Sequence, residues 1–374
     1  MTIVLHLQQL VLVDFRSYAQ LEVAFPPGRV ALIGPNGIGK TNLLEAIAWL
    51  ATMQSFRGSP ASAVVRETAA IARVRGELHH DRRGTTIDAE LAVRGPGRVT
   101  VNGKRLARAS DLLGHVRVTV FSPDDLQLLK GGPSERRRFV DELLVALDAH
   151  NDVRLSDFER ILRHRNALLR QSNGRLDTTE RHSLTVWNDK LAPAADVVGE
   201  LRRAALTQLA PLVVEAYRDI SGEHTALALD YHAPWMALGM AEALAAAERD
   251  DLRRGVTTVG PHRDEVEVLL EGLPARTHAS QGEQRSLALA LRLAQHRLVG
   301  RETAVPPLLL LDDVFSELDR ARAGALIAHL PMGQAFMSSA VEIPAEAEIE
   351  QVFDVGPGHL VARATPSGSR RSGR

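Results

Sequence analysis

The chain has 374 residues, 45 Lys and Arg against 46 Asp and Glu, a formal net charge of −1, 45% hydrophobic residues and no cysteine. That apolar fraction at near-zero charge excludes a disordered chain, and the missing thiols exclude a disulfide scaffold and a zinc–thiolate site. The length suits two domains or one large domain with an insert, and the overall charge speaks against a uniformly basic nucleic-acid binder.

The N-terminal stretch alternates apolar and polar residues and carries Asp14 and Arg16, so it lacks the build of a signal peptide. No segment approaches the roughly 18 consecutive apolar residues of a membrane-spanning helix, and a cytoplasmic protein is expected. Residues 4–13 and 21–25 read as strands, the second closed by the turn Pro26-Pro27-Gly28. Val30-Ala31-Leu32-Ile33 is a short apolar strand running into a glycine-rich loop, and a helix is predicted over 42–51. From 71 to 120, alternating runs broken by Gly84, Gly95-Pro96-Gly97 and Asn102-Gly103 predict antiparallel hairpins. Helical spacing then dominates 134–149, 153–169, 185–215 and 240–254. Strand character returns over 256–270, followed by a helix at 284–299, a strand at 308–311 and a helix near 320–330. These elements predict a discontinuous α/β head from 1–124 and 255–364, a helical insert over 125–254, and a disordered Ser/Gly/Arg-rich tail over 365–374.

The loop Gly34-Pro35-Asn36-Gly37-Ile38-Gly39-Lys40-Thr41, followed by Asn42, matches the phosphate-loop pattern G-x-x-x-x-G-K-[ST] in its strand–loop–helix context. Its glycines let successive backbone N–H groups turn toward phosphate oxygens, and the helix start adds its positive dipole end. Lys40 is placed to reach the β- and γ-phosphates of ATP, and Thr41 to offer its hydroxyl oxygen to Mg2+. Four leucines, 308–311, end in Asp312-Asp313. Such a run reads as a central parallel strand, and ligands bind at the carboxyl ends of these strands. Asp312 is expected to hold Mg2+ through water, and Asp313 to orient the attacking water or take its proton.

Charge is unevenly spread. Residues 57–108 carry a net +6 and residues 241–319 a net −5. Arg73, Arg75, Arg82, Arg83, Lys104 and Arg105 fall on the predicted hairpins, where alternate residues share a face and can track a phosphate backbone. Arg136-Arg137-Arg138 and the helix segment with Arg160, Arg163, Arg165 and Arg170 are further candidates for DNA contact. Aromatic residues make up 4% of the chain, which favours backbone contact with duplex over stacking on single strands.

Ser280-Gln281-Gly282-Glu283 opens a predicted helix and resembles the signature turn of ABC-type ATPases, and Asp319, seven residues beyond Asp312, resembles their dimer-contact loop. Together with Leu12 to Tyr18, Phe121 to Leu126, Lys130 to Pro133, Arg136 to Phe139 and Gly260 to Asp264, the set resembles the RecF family of recombination mediators, collinear over 12–319. The resemblance implies an ABC-type P-loop ATPase head, with a mixed sheet and an antiparallel β subdomain, and an inserted helical lid. It further implies a slow ATPase that dimerises on DNA when ATP is bound, the signature turn of one copy facing Lys40 and Asp312 of the other. RecO and RecR as partners, RecA loading at gaps, fork maintenance and SOS induction follow from the same resemblance. Two features depart from the ABC pattern: Gln281 replaces a glycine, and Asp313 replaces a glutamate. Ser338 and Ser339 stand where a switch histidine is usual, Gln127 is only a candidate Q-loop residue, and His262 has no assigned role. A transporter nucleotide-binding subunit and a DNA scaffold without hydrolysis are the alternatives; the 239 residues between Thr41 and Ser280 are long for the first.

Overall fold

Alternation in β1 (His6–Phe15) and β2 (Tyr18–Ala24) buries one face of each, whereas β3 (Arg29–Ile33) is buried from Val30 onward. The computed structural model describes residues 5–80, 83–95, 97–172, 174–303 and 306–363. Arg82 and the tail expected to be disordered lie outside them. After the phosphate loop comes α1 (Lys40–Thr52), then a single turn α2 (Ala61–Val64) and the strands β4 (Ile71–His80), β5 (Arg83–Ala92), β6 (Arg98–Val101), β7 (Lys104–Arg105) and β8 (Val118–Phe121). The helical stretch holds α3 (Gln127–Lys130), α4 (Pro133–Leu147), α5 (His150–Gln171) and the 44-residue α6 (Thr178–Ser221), with β9 (Leu227–His232) and α7 (Met240–Arg254) beyond it. The chain continues through β10 (Glu265–Leu270), β11 (Leu273–Pro274), α8 (Ala275–His278), α9 (Gln281–Glu302), β12 (Leu308–Asp312), α10 (Arg320–Ala328), β13 (Ala335–Ser339), β14 (Gln351–Gly356) and β15 (His359–Ala362).

The described residues fall into two compact units, one drawn from 1–125, 219–222 and 289–374, the other from 126–218 and 223–288. The first holds two six-stranded sheets. One is antiparallel, in the order β2-β1-β4-β5-β6-β7; the other, β15-β14-β3-β13-β12-β8, is parallel apart from β15. Helix α1 touches strands of both sheets and is buried at ten positions, so its apolar residues run almost all round it. The close approach is made possible by Gly76 on β4, where a Cβ would sit 2.4 Å from Leu50 Cδ1. The hairpins predicted over 71–120 are present as β4–β7. The last run, β8, leaves them to pair in parallel with β12, because its alternate residues Thr119 and Phe121 are buried in the other sheet.

The second unit is not purely helical. Strand β10 pairs antiparallel with β9 and β11, and this sheet holds its sequence with α4–α7. The unit therefore runs from 126 to 288, apart from 219–222, where the sequence suggested 125–254. The strand expected over 256–270 begins only at Glu265, because Pro261 opens a 3-10 turn at Pro261–Arg263 and has no N–H for a ladder.

Buried arginines fasten this unit. Arg165, fully buried, donates to Asp251 Oδ2, Thr257 Oγ1 and Asn188 Oδ1, each at 2.8 Å. Arg202 forks onto both oxygens of Asp141 at 2.8 Å and donates to the Pro261 carbonyl at 2.7 Å. His262 lies in the same turn, its Nε2 2.9 Å from the Thr257 carbonyl, and burial pushes its pKa down to about 4. A neutral ring that donates to a carbonyl is a packing element, which gives His262 a structural role. Removing one partner of a buried ion pair strands the other charge. Asp251→Ala is therefore expected to lower the unfolding free energy by about 3–5 kcal/mol in urea denaturation, whereas Asp250→Ala, at an exposed pair with Arg253, changes it by no more than ~0.5 kcal/mol.

Candidate nucleotide-binding site

The phosphate loop leaves β3 at its C-terminal end and returns into α1. Its tip, Pro35, Asn36 and Gly37, is exposed, while Gly39 and Lys40 are buried. Gly37 has φ 78° and Gly39 φ 123°, both in the region that favours glycine. At Gly37 a Cβ would meet no atom within 4 Å, so it is the backbone angle and not space that favours glycine there. Gly39 is gripped from the β1–β2 turn: the Tyr18 hydroxyl donates to its carbonyl at 3.0 Å, and Asn42 Nδ2 donates to Ser17 Oγ at 3.0 Å. These contacts thus fix the loop backbone at Gly39, where it enters α1.

Strand β13 lies between β3 and β12, so the phosphate loop and the end of β12 flank one strand. Thr41 Oγ1 donates to Asp312 Oδ1 at 2.9 Å, and Ser338 Oγ on β13 donates to the same oxygen at 2.7 Å. Burial pushes the Asp312 carboxyl upward in pKa; the hydrogen bonds from Ser338 and Thr41 oppose that, Asp313 adds to it, and Arg57 counters it. Asp313 follows in the left-handed region, φ 50°, with its N–H on Ser338 Oγ at 3.0 Å and its Oδ1 buried without a hydrogen-bond partner. Lys40 Nζ donates to the carbonyls of Gly34 at 2.7 Å and Pro35 at 3.0 Å. Burial lowers its pKa, and Asp313 and Asp312 work against that.

These residues fit a Mg2+–nucleotide pair. A hydroxyl and a carboxylate already in contact form a hard oxygen donor set suited to Mg2+. The orphaned Asp313 oxygen is a buried acceptor awaiting a proton donor, which a water or an ion's hydration shell supplies.

The sequence reading missed three contributors. Arg57, counted above only in a basic segment, acts electrostatically on Asp312. Its loop is tied to α1 through Arg16, which forks onto the buried Glu45 at 2.8 Å and donates to Ser59 Oγ at 2.9 Å and the Ala63 carbonyl at 2.8 Å; Ser55 also donates to Glu45. Tyr18 and Ser338 stood in view only as a motif residue and as a histidine's replacement. No spacing rule announces them, because their contacts arise from strand neighbours distant in sequence.

In the second unit, Ser280 and Glu283 form a capping box: the Glu283 carboxylate accepts from Ser280 N at 2.7 Å, and Ser280 Oγ from Glu283 N at 3.3 Å. Gln281 is exposed and Gly282 partly so. Buried Gln284 donates to the carbonyls of Ala275 and Arg276, tying this turn to α8. Asp319 caps α10 by accepting from Arg322 N at 2.9 Å.

The arginine candidates divide. Arg136 is buried, forked onto Glu265 and donating to the Gly131 carbonyl, so it is an internal strut and not a DNA contact. Arg165 is likewise internal. Arg137 is half-buried on the Asp264 carbonyl at 2.6 Å, and Arg138 is exposed beside Glu135 and Glu142. Arg160 and Arg163 pair with Asp157 and Glu159. Arg73 is neutralised across the strand pair by Asp88, and Arg75 by Glu77 two residues on along β4. Arg83, Lys104 and Arg105 are exposed, with no ion pair among the described residues.

Fold and site together define a P-loop head of the ABC and SMC type: the family model described as RecF/RecN/SMC N terminal domain matches residues 6–338. The Smc head domain of Pyrococcus furiosus shares this fold at TM-score 0.55 and 16% identity, over 96% of each chain. More specific likenesses follow. The DNA replication and repair protein RecF of Streptomyces avermitilis is 41% identical over 356 residues, 90% of this chain and 94% of that protein. The protein of the same name from Frankia alni is 39% identical, over 96% of this chain and all of its own length. A solved structure of the recombination mediator protein RecF with ATPrS superposes at TM-score 0.88 and 29% identity, over 96% of this chain and 99% of that one. The chain belongs to the RecF family of DNA replication and repair proteins. No described helix is long and apolar enough to cross a membrane.

Losing a single hydrogen bond is worth about 0.5–1.5 kcal/mol. Tyr18→Phe, which frees the Gly39 carbonyl, is expected to weaken binding of a fluorescent ATP analogue roughly 2- to 10-fold, measured by titration.

Proposed function

We propose that the chain is a slow, Mg2+-dependent ATPase that uses ATP to clamp two copies together on DNA during recombinational repair and replication-fork maintenance. The observation that carries this is the meeting of Lys40, Thr41, Asp312 and Asp313 at the ends of β3 and β12, on either side of β13, with one buried carboxylate oxygen left unpaired among the described residues. In this reading the N–H groups of Gly37 to Thr41 take the phosphates of ATP, and Lys40 exchanges the Gly34 and Pro35 carbonyls for phosphate oxygens. Thr41 and Asp312 hold Mg2+, which when bound neutralises phosphate charge and polarises the transferred group. Asp313 Oδ1 orients the attacking water and takes its proton; an aspartate reaches less far than a glutamate, which suits slow turnover.

Ser280 to Glu283 of one copy then complete the pocket of the other, with Asp319 at the contact, and hydrolysis releases the clamp. The solved relatives named for complexes with ATP and ATPrS in the RecFOR pathway support the nucleotide and a place beside RecO and RecR; loading of RecA at gaps and SOS induction are part of the same proposal. DNA would meet the exposed Arg83, Lys104 and Arg105, with Arg82 beside them in sequence and Arg138 in the second unit.

Sedimentation without nucleotide, with ADP and with ATP, each with and without duplex DNA, tests the clamp. Dimers are expected with ATP alone among the nucleotides and are expected to vanish in Lys40→Ala; a wild type that stays monomeric at micromolar concentration with ATP and DNA overturns the reading. DNA affinity is expected to fall steeply with salt, log K declining linearly in log salt concentration, and a flat response in a fluorescence anisotropy titration removes the electrostatic part.

A further inference from the structure

We propose that Ser338 is a positioning residue for the metal site, holding Asp312 in its metal-ready orientation and Asp313 in its left-handed turn. The inference rests on the Mg2+–ATP reading above and names a residue that touches neither ligand. Ser338 is fully buried on β13, directly beside Asp312 in the β12–β13 register. The neighbouring Phe336 and Met337 are apolar and equally buried, so a hydroxyl here is costly unless fully bonded. It is fully bonded. Its single proton goes to Asp312 Oδ1 at 2.7 Å, and its oxygen accepts from the Asp313 N–H at 3.0 Å. The Ser338 carbonyl also takes that N–H, at 3.2 Å.

The division of labour around Asp312 makes Ser338 decisive. Thr41 donates to the same carboxylate oxygen, but its hydroxyl oxygen is the atom offered to the metal, so its geometry changes with loading. Ser338 is buried within the sheet, and among the described residues its hydroxyl bonds only Asp312 and the Asp313 N–H. The orientation of Asp312 during loading therefore rests on β13. Asp313 sits at φ 50°, a conformation strained for a residue with a Cβ, and its amide is held only by Ser338.

Residues that orient a metal ligand from behind typically contribute about 10- to 100-fold to metal affinity. The test is a Mg2+ titration of fluorescent ATP-analogue binding in Ser338→Ala, with affinity in EDTA measured alongside. The half-saturating Mg2+ concentration is expected to rise roughly tenfold or more, with the Mg2+-free affinity within about twofold of wild type. Ser339→Ala serves as the comparison: Ser339 is equally buried, but its Oγ accepts from Val341 N at 3.2 Å and, among the described residues, makes no hydrogen bond to either aspartate. It is expected to leave the Mg2+ dependence unchanged. A Ser338→Ala curve that tracks wild type, a loss of Mg2+-free affinity equal to the loss with Mg2+, or an equal shift in Ser339→Ala each overturns the proposal. If wild type itself shows no Mg2+-dependent binding, the proposed function fails first, and is distinguished in that way.

Discussion

One carboxylate oxygen, Asp312 Oδ1, joins the elements on which the site depends. It receives hydrogen bonds from α1 through Thr41 and from β13 through Ser338, while belonging to β12. An aspartate at the end of a strand buried at every position is expensive to desolvate, and burial alone drives its carboxyl toward the protonated form. The two hydroxyls and the charge of Arg57 offset that cost. Lys40 faces the same problem with opposite sign, and meets it by turning onto the loop carbonyls. Among the described residues, the buried Asp313 Oδ1 is left without a hydrogen-bond partner. In the proposed reading, binding would exchange the Lys40 bonds to loop carbonyls for bonds to phosphate oxygens, in which both partners are charged.

The same logic governs the arginines. A guanidinium is never deprotonated in a protein, so an arginine in the interior has to find a fixed carboxylate or carbonyls. Arg16, Arg136, Arg165 and Arg202 each do so, with Glu45, Glu265, Asp251 and Asp141 respectively. In every case the acid lies far away in sequence. Arg136 and Arg165 therefore read as basic-cluster residues in a one-dimensional inspection, and as struts in three dimensions. The stretch from Arg160 to Arg170 contains no acid, yet Arg160 and Arg163 are met from the preceding turn and Arg165 from α7.

What was legible in the sequence follows from how local its cause is. The phosphate loop depends on eight consecutive residues, and β12 on four leucines and an acidic end, so both could be read directly. The first strands of the antiparallel sheet were legible from alternation, since β1, β2 and β4 each bury a single face, whereas β13, β14 and β15 were not read as strands. The small sheet of the second unit was not. β9 alternates between partly and fully exposed residues, and β10 follows a proline turn that disguises its start. Only the pairing of residues 227–232 with 265–270 gives these segments a common core, and that pairing is invisible along the chain. Tyr18 and Ser338 were unreadable for the same reason: each works through a neighbour supplied by another element.

Charge over the head follows the same rule. The surplus of residues 57–108 does not spread evenly over the exposed face of the antiparallel sheet. Arg73 and Arg75 sit opposite Glu90 and Asp88 in the β4–β5 register, and Arg98 also lies opposite Glu90. Cross-strand pairing of opposite charges stabilises the sheet and leaves little field above its middle strands. The uncompensated cations lie instead at the margins, in Lys104 and Arg105 on the edge strand β7 and in Arg83 at the start of β5. Charged side chains on an exposed edge also keep it from pairing with other chains. A phosphate backbone would be attracted most strongly to a place where no carboxylate competes for the guanidinium. The balance of charge along these strands therefore narrows a broad basic segment to the edge strand β7 and the start of β5.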